Sequence, residues 1–105
     1  SCAVDKDFLA QAGMQEYEKI DVYNVTNGER FSTYLILAES GSKTLSVNGA
    51  AAHKVKVNDV VIICTYGSYD EIEAKAHTPT LVYFDKNNNV TNVKNKIPEQ
   101  RLKSV

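Results

Sequence analysis

The sequence predicts a mainly β domain whose short strands close on themselves into a small barrel. Three observations carry this. Segments rich in β-branched and aromatic residues, among them EKIDVYNVT, RFSTYLILA, VVIICTY and TLVYFD, recur along the chain. Turn signals separate them, and the dipeptide Asn27-Gly28 is the strongest short hairpin signal of all. The chain has 105 residues and is 43% hydrophobic, which suits one modest core in one domain spanning 1–105. With so many short strands in so small a domain, closure is the way to remove exposed edges.

The elements follow in order. Asp5 is placed to cap a brief helix through Phe8 and Leu9 that Gly13 ends. EKIDVYNVT (18–26) alternates apolar and polar residues as a strand does, and RFSTYLILA (30–38) is its return. Glu39 to Ser42 form a turn, and KTLSV (43–47) is a short strand. In VNGAAAH (47–53) three alanines suit a single helical turn after Gly49. VNDVVIICTYG (57–67) is a turn and then a wholly apolar strand, of the kind buried on both faces. SYDEIEAKAH is a short polar helix starting near Ser68 or Asp70. TLVYFD is a strand and KNNNV a turn. The polar tail NKIPEQRLKSV is expected to fray, and the chain from about residue 87 to be peripheral.

Composition excludes several classes. Twelve basic residues against thirteen acidic ones leave a net charge of −1, without the basic stripe of a nucleic-acid binder. No apolar run approaches a membrane span, and no secretory pattern opens the chain, so a cytoplasmic protein is expected. Cys2 and Cys64 give neither metal spacing nor a disulfide framework, and Cys64 reads as a small hydrophobe in an apolar run. His53 and His77 lie far apart with no ligand-spaced partners, so no metal is expected. There is no GxGxxG, P-loop or nucleophile elbow. Asn24 and Asn89 each begin an Asn-Val-Thr triplet, read as chance without a secretory signature.

Three stretches remain that can carry chemistry. The chain begins at Ser1, either because it was trimmed or because cleavage made that serine a reactive terminus. In GERFSTY (28–34), strand alternation puts Arg30, Ser32 and Tyr34 on one face and Phe31, Thr33 and Leu35 on the other. An exposed polar face on a half-buried strand is the plain alternative. VNGAAAH reads equally as a tight turn that uses the backbone freedom of Gly49.

Taken together, SCAVDKDFLAQAG, NVTNGERFSTY, SVNGAAAH and VNDVVII stand in the order and spacing of the aspartate 1-decarboxylase family, which this chain resembles from Ser1 to about Phe84. The resemblance implies a six-stranded double-psi β-barrel with short helices. It implies decarboxylation of L-aspartate to β-alanine and carbon dioxide for pantothenate and coenzyme A synthesis. Family members cut themselves before a serine that becomes a pyruvoyl group, so Ser1 would be that residue and this chain the larger fragment. The short N-terminal chain of the same proenzyme would supply a strand and a lysine, and the assembly would be a homotetramer with sites at subunit boundaries. No metal and no pyridoxal phosphate are implied. Thr33 matches the residue that assists self-cleavage, Arg30 the substrate-carboxylate grip and Tyr34 the proton donor. Asn48, Gly49, Ala50 and Ala51 match the segment lining the substrate. Ile62 matches an apolar wall, and Tyr23 an aromatic position where tryptophan also occurs.

Loss of the α-carboxyl leaves negative charge on a carbon that no ordinary side chain can absorb, so an electron sink is required. A ketone at the chain terminus can form a Schiff base with the substrate amine and take up that charge. A guanidinium grips the second carboxylate with two parallel hydrogen bonds. A phenol with an ordinary pKa of about 10 is protonated at neutral pH and can act as an acid. Arg30 and Tyr34, four residues apart on a strand, have Cα atoms roughly 13 Å apart, so either Arg30 reaches along the strand or two subunits share one site. Two other functions stay open. One is an N-terminal nucleophile hydrolase using the Ser1 hydroxyl and amine, for which the chain is short and strand-rich. The other is a non-catalytic barrel that binds a partner. Cys2 can be read as a nucleophile or a small packing residue, and His53 as a proton carrier or a surface residue.

Overall fold

Asp5 is where the chain changes from strand to helix. The computed structural model describes residues 1–101. Strand β1 (Cys2–Asp5) runs directly into helix α1 (Lys6–Ala12), and the Asp5 carboxylate accepts the backbone N–H of Asp7 at 2.8 Å as the helix cap. Gly13 ends the helix at φ 72°, a left-handed turn that glycine adopts without strain. The other Asp5 oxygen accepts the Lys43 N–H at 2.8 Å, so one buried side chain ties the helix start to the turn leading into β4 (Leu45–Val47). Burial opposes the Asp5 charge, but backbone N–H groups of Asp7, Lys43 and Gly41 outweigh it and hold the carboxyl below its ordinary pKa.

Strands β2 (Lys19–Asn24) and β3 (Arg30–Ala38) form the expected hairpin, in antiparallel register with Tyr23 opposite Arg30 and Ile20 opposite Thr33. The turn is longer than Asn27-Gly28 alone implies. Asn24, only 2% exposed, organises it. Its Oδ1 accepts the N–H groups of Thr26 and Asn27 at 3.0 and 3.3 Å, and its Nδ2 donates to Lys54 O at 3.0 Å and Asp59 Oδ2 at 2.8 Å. With both halves of its amide engaged, Asn24 is a structural residue. After a 3₁₀ turn at Gly49–Lys54, strand β5 (Val61–Cys64) pairs antiparallel with β2.

The sheet of the first unit, Ser1–Ser68, has the order β4-β1-β3-β2-β5. β1 runs parallel to β3 and antiparallel to β4. Alternation along the strands sends Cys2, Val4, Ile20, Val22 and Leu35 to one face, where Leu9 of α1 completes the buried core and Phe31, Val47 and Val61 pack against it. β5 departs from expectation: it is an edge strand only partly buried on its core face, and Ile62 on the other is 51% exposed. An apolar run marks what a strand can bury, and the described residues of this unit leave that side of β5 open.

The second unit runs from Tyr69 onward. Helix α2 (Glu71–Ala76) starts with a reciprocal capping box between Asp70 and Glu73, which selects Asp70 over Ser68 as the cap. β6 (Leu81–Phe84) pairs antiparallel with β7 (Val90–Lys94). β7 is a strand that the sequence does not predict, because VTNVK carries only two apolar residues, too few for alternation to declare itself. Of the expected frayed tail, 102–105 lie outside the described residues. The architecture is mainly β with few short helices, and its seven strands among the described residues fall into sheets of five and two. No helix among the described residues is long and apolar enough to cross a membrane.

Candidate active site

Ser1 is held by Asn48. The β1–β4 register pairs Cys2 with Val47, so position 1 falls opposite position 48. The Asn48 N–H donates to Ser1 O at 2.8 Å and the Ser1 amine donates to Asn48 O at 3.3 Å. The Asn48 Nδ2 also reaches the Ser1 Oγ at 3.4 Å. Ser46 Oγ donates to Asn48 Oδ1 at 3.1 Å, which fixes the carboxamide with its NH₂ toward Ser1. Asn48 is extended, and Gly49 at φ 69° turns the chain at once into the 3₁₀ segment holding Ala50 and Ala51. A Cβ on Gly49 would meet nothing within 4 Å, so its requirement is conformational and not steric.

The parallel β1–β3 register pairs Cys2 with Leu35. Carried one step toward the N-terminus, it sets Ser1 beside Tyr34. Cys2 and Leu35 point into the core, so Ser1 and Tyr34 share the opposite, open face, where Tyr34 is 50% exposed. Thr33 points the other way, toward the core side with Ile20.

Arg30 lies at the far end of that open face. Its guanidinium carbon sits 4.1 Å from the centre of the Tyr23 ring, its partner across β2–β3. Tyr23 is in turn paired with Ile62 across β2–β5, giving a row Arg30–Tyr23–Ile62 over three strands. The next row is Ser32, Asp21 and Cys64, with the Ser32 hydroxyl donating to Asp21 Oδ1. The structure thus brings Ser1, Tyr34 and Asn48–Ala51 together at one end, and Arg30, Tyr23 and Ile62 together at the other. It does not unite the two groups within one chain, because Arg30 leans onto β2, away from β1.

Electrostatics leave Arg30 free. Glu29, its neighbour in sequence, is bound by Lys54 Nζ at 2.9 Å. Neither ion pair among the described residues includes Arg30. A cation stacked on an aromatic face with no carboxylate of its own is suited to an anion from outside.

Cys2 is not a nucleophile here. It is fully buried, and burial pushes its thiol up to about 11, only partly offset by the nearby terminal amine. Cys64, read from the sequence as a small packing hydrophobe, is half-buried on the open face beside Asp21. His53 is an exposed residue of the 3₁₀ turn, and His77 stacks on Tyr69 with ring centres 4.5 Å apart. No group of three or more metal-ligating side chains occurs among the described residues. Sequence reasoning missed Ser46 and Tyr66. Ser46 is two residues from Asn48, a spacing that puts both on one face of a strand. Tyr66 gives no local signal, and only the β2–β5 register reveals its hydroxyl 2.9 Å from that of Tyr23.

Comparison with known proteins identifies the family. A family model described as aspartate decarboxylase matches residues 1–91. The chain is 60% identical over 100 residues to aspartate 1-decarboxylase of Cellvibrio japonicus (strain Ueda107), covering 95% of this chain and 79% of that protein. It is 58% identical to the aspartate 1-decarboxylase of Marinomonas sp. (strain MWYL1), covering 96% and 80% respectively. It is 54% identical to that of Pseudomonas aeruginosa (strain LESB58), covering 95% and 79%. The chain belongs to the aspartate decarboxylase family.

Proposed function

We propose that this chain is the larger fragment of a pyruvoyl-dependent enzyme that decarboxylates L-aspartate to β-alanine and carbon dioxide, a supply step for pantothenate and coenzyme A. Beyond family membership, the hold of Asn48 on Ser1 carries the reading. Two donors, the Asn48 N–H at 2.8 Å and its Nδ2 at 3.4 Å, are aimed at oxygens of position 1. Such a seat fits a pyruvoyl group, whose oxygens accept and cannot donate. Conversion gives up the long hydrogen bond from the amine to Asn48 O, at 3.3 Å, and the Ser1 Oγ leaves with the short chain; the Asn48 N–H stays on the position-1 carbonyl, and the Asn48 Nδ2 is freed to donate to the new ketone oxygen. Once formed, the group supplies the electron sink that removal of the α-carboxyl requires.

The chain's own residues divide the remaining work. Arg30 grips the second carboxylate, with Tyr23 and Ile62 as the wall beside it. Tyr34, in line with Ser1, delivers the proton to the α-carbon. Asn48 orients position 1 together with Gly49, Ala50 and Ala51. Thr33 acts in self-processing: the β1–β3 register, continued past Ser1, sets it level with the residue before the cleavage point. There the Ser1 Oγ attacks the preceding carbonyl to give an ester. Elimination releases the short chain as a carboxylate and leaves dehydroalanine, and water converts that to pyruvoyl and ammonia.

The open sheet edges support a completed double-psi barrel. Among the described residues β4 and β5 lack an outer partner in the sheet, and a cleft of about 210 Å³ is lined by Leu45 and Val47 of one and Val61 of the other. A strand from the short N-terminal chain suits that cleft and would bring the barrel to six strands in the first unit. The exposed apolar residues Val57, Val60 and Ile62 support a homotetramer with its sites at subunit boundaries. Intact-mass measurement tests the reading. Active material should be lighter than its sequence by one ammonia. A full-mass chain with a free serine amine that still decarboxylates aspartate sinks it.

A further inference from the structure

We infer that Tyr66 is a positioning residue for the carboxylate grip of Arg30, acting through Tyr23. The inference rests on the proposed function and deepens it. Arg30 is an exposed strand residue, and its fixed contact is the Tyr23 ring at 4.1 Å. A long, flexible side chain grips a carboxylate well only if its planar head is already oriented. The Tyr23 ring is the platform that orients it, so the ring must itself be fixed. Its far end is tied by the 2.9 Å hydrogen bond to the Tyr66 hydroxyl. An open cleft of about 210 Å³ borders Tyr66, Asp21 and Cys64, and Tyr66 is 71% exposed. Close packing therefore does not hold the pair of phenols, and the hydrogen bond does. The bond also persists over a wide pH range, because it and the contact with Cys64 push the Tyr66 ionisation well above that of an ordinary phenol.

Tyr66 borders the row of Tyr34 through Lys19, but its hydroxyl turns away from that row to Tyr23, so its loss should weaken binding and leave chemistry alone. The test uses Tyr66→Phe, Tyr23→Phe and the double variant in the processed holoenzyme with its short chain. Each should raise KM for L-aspartate about three- to tenfold, the value of one neutral hydrogen bond, with kcat nearly unchanged. The Kd of succinate, a dicarboxylate without an amine, should rise by the same factor in titration calorimetry. The double variant should match the singles, since all three remove one bond. The inference is overturned if Tyr66→Phe leaves KM and the succinate Kd unchanged. It is also overturned if kcat and the melting temperature fall together, or if the two single effects multiply. A wild-type holoenzyme that forms no β-alanine refutes the proposed function instead, and the succinate titration then decides the role of Tyr66 by itself.

Discussion

Arg30→Ala is the most direct perturbation of the proposed substrate grip. Arg30 stacks on Tyr23 at 4.1 Å, and the neighbouring acids are occupied, Glu29 by Lys54 at 2.9 Å and Asp21 by Ser32. The guanidinium therefore meets an incoming carboxylate without first breaking an internal ion pair. A charge-assisted hydrogen bond contributes about 1.5–3 kcal/mol, and a bidentate pair lies toward the top of that range. At about 1.4 kcal/mol per tenfold, KM for aspartate should rise on the order of 10²-fold. The cost to folding is smaller: an exposed cation–π contact contributes about 0.5–1 kcal/mol. Initial rates of β-alanine formation measure the first effect and thermal melting the second, on chains whose processing has been verified by mass. Arg30→Lys should recover only part of the loss, since an ammonium lacks the two-pronged geometry. A fully processed Arg30→Ala enzyme with wild-type KM would refute the assignment.

Three other outcomes are expected. Tyr34→Phe, in processed enzyme, should lower kcat by roughly 10²–10⁴-fold with KM little changed; a wild-type rate would mean that the acid is another group. Asn24→Ala should cost about 2–4 kcal/mol in chemical denaturation, because it strips hydrogen bonds from Thr26, Asn27, Lys54 and Asp59 around a buried site; a loss within about 0.5 kcal/mol would show the turn to be self-supporting. Stability should also fall in acid. Asp59 is held below its ordinary pKa by the Lys56 N–H and the Asn24 amide, and Asp5 likewise by its three backbone donors against the cost of burial. A depressed carboxyl adds stability that is fully present above the unfolded value of about 3.9 and is lost as pH falls through the folded one. Unfolding midpoints that stay flat from pH 6 to about pH 3 would contradict this.

The local rules of sequence were enough wherever one element decided its own shape. Asp5 and Gly13 bounded α1, Asp70 capped α2, Gly49 opened the 3₁₀ turn, and RFSTYLILA became β3 residue for residue. β1 was hidden because Cys2–Asp5 is short and has its partners more than thirty residues away, on β3 and β4. Registers such as Ser1 against Asn48 are likewise products of tertiary pairing. Alternation put Arg30 and Tyr34 on one face but could not tell that Arg30 would lean on Tyr23. Asn24 looked like part of a chance triplet because nothing local announces that Lys54 and Asp59 will converge on its amide.

The two halves of the proposed site are separated by the same sheet that builds them. β3 carries Tyr34 between β1 and β2 and Arg30 beside β2 alone, about 13 Å apart along the strand. Tyr23 and Tyr66 strengthen that separation by drawing the guanidinium farther from Ser1 of its own chain. Aspartate is far shorter than this span, so an Arg30 fixed on Tyr23 fits the proposed shared site, in which it would meet a substrate bound at position 1 of another subunit. The features around Arg30 agree with that division: Ile62 in its row is half-exposed and apolar, and the strand that carries it is an edge of the sheet. A stacked arginine beside an uncovered apolar strand is poorly explained by one chain alone. It is what the proposed shared site would require, with the partner recruited by apolar surface and the substrate by charge at the same place.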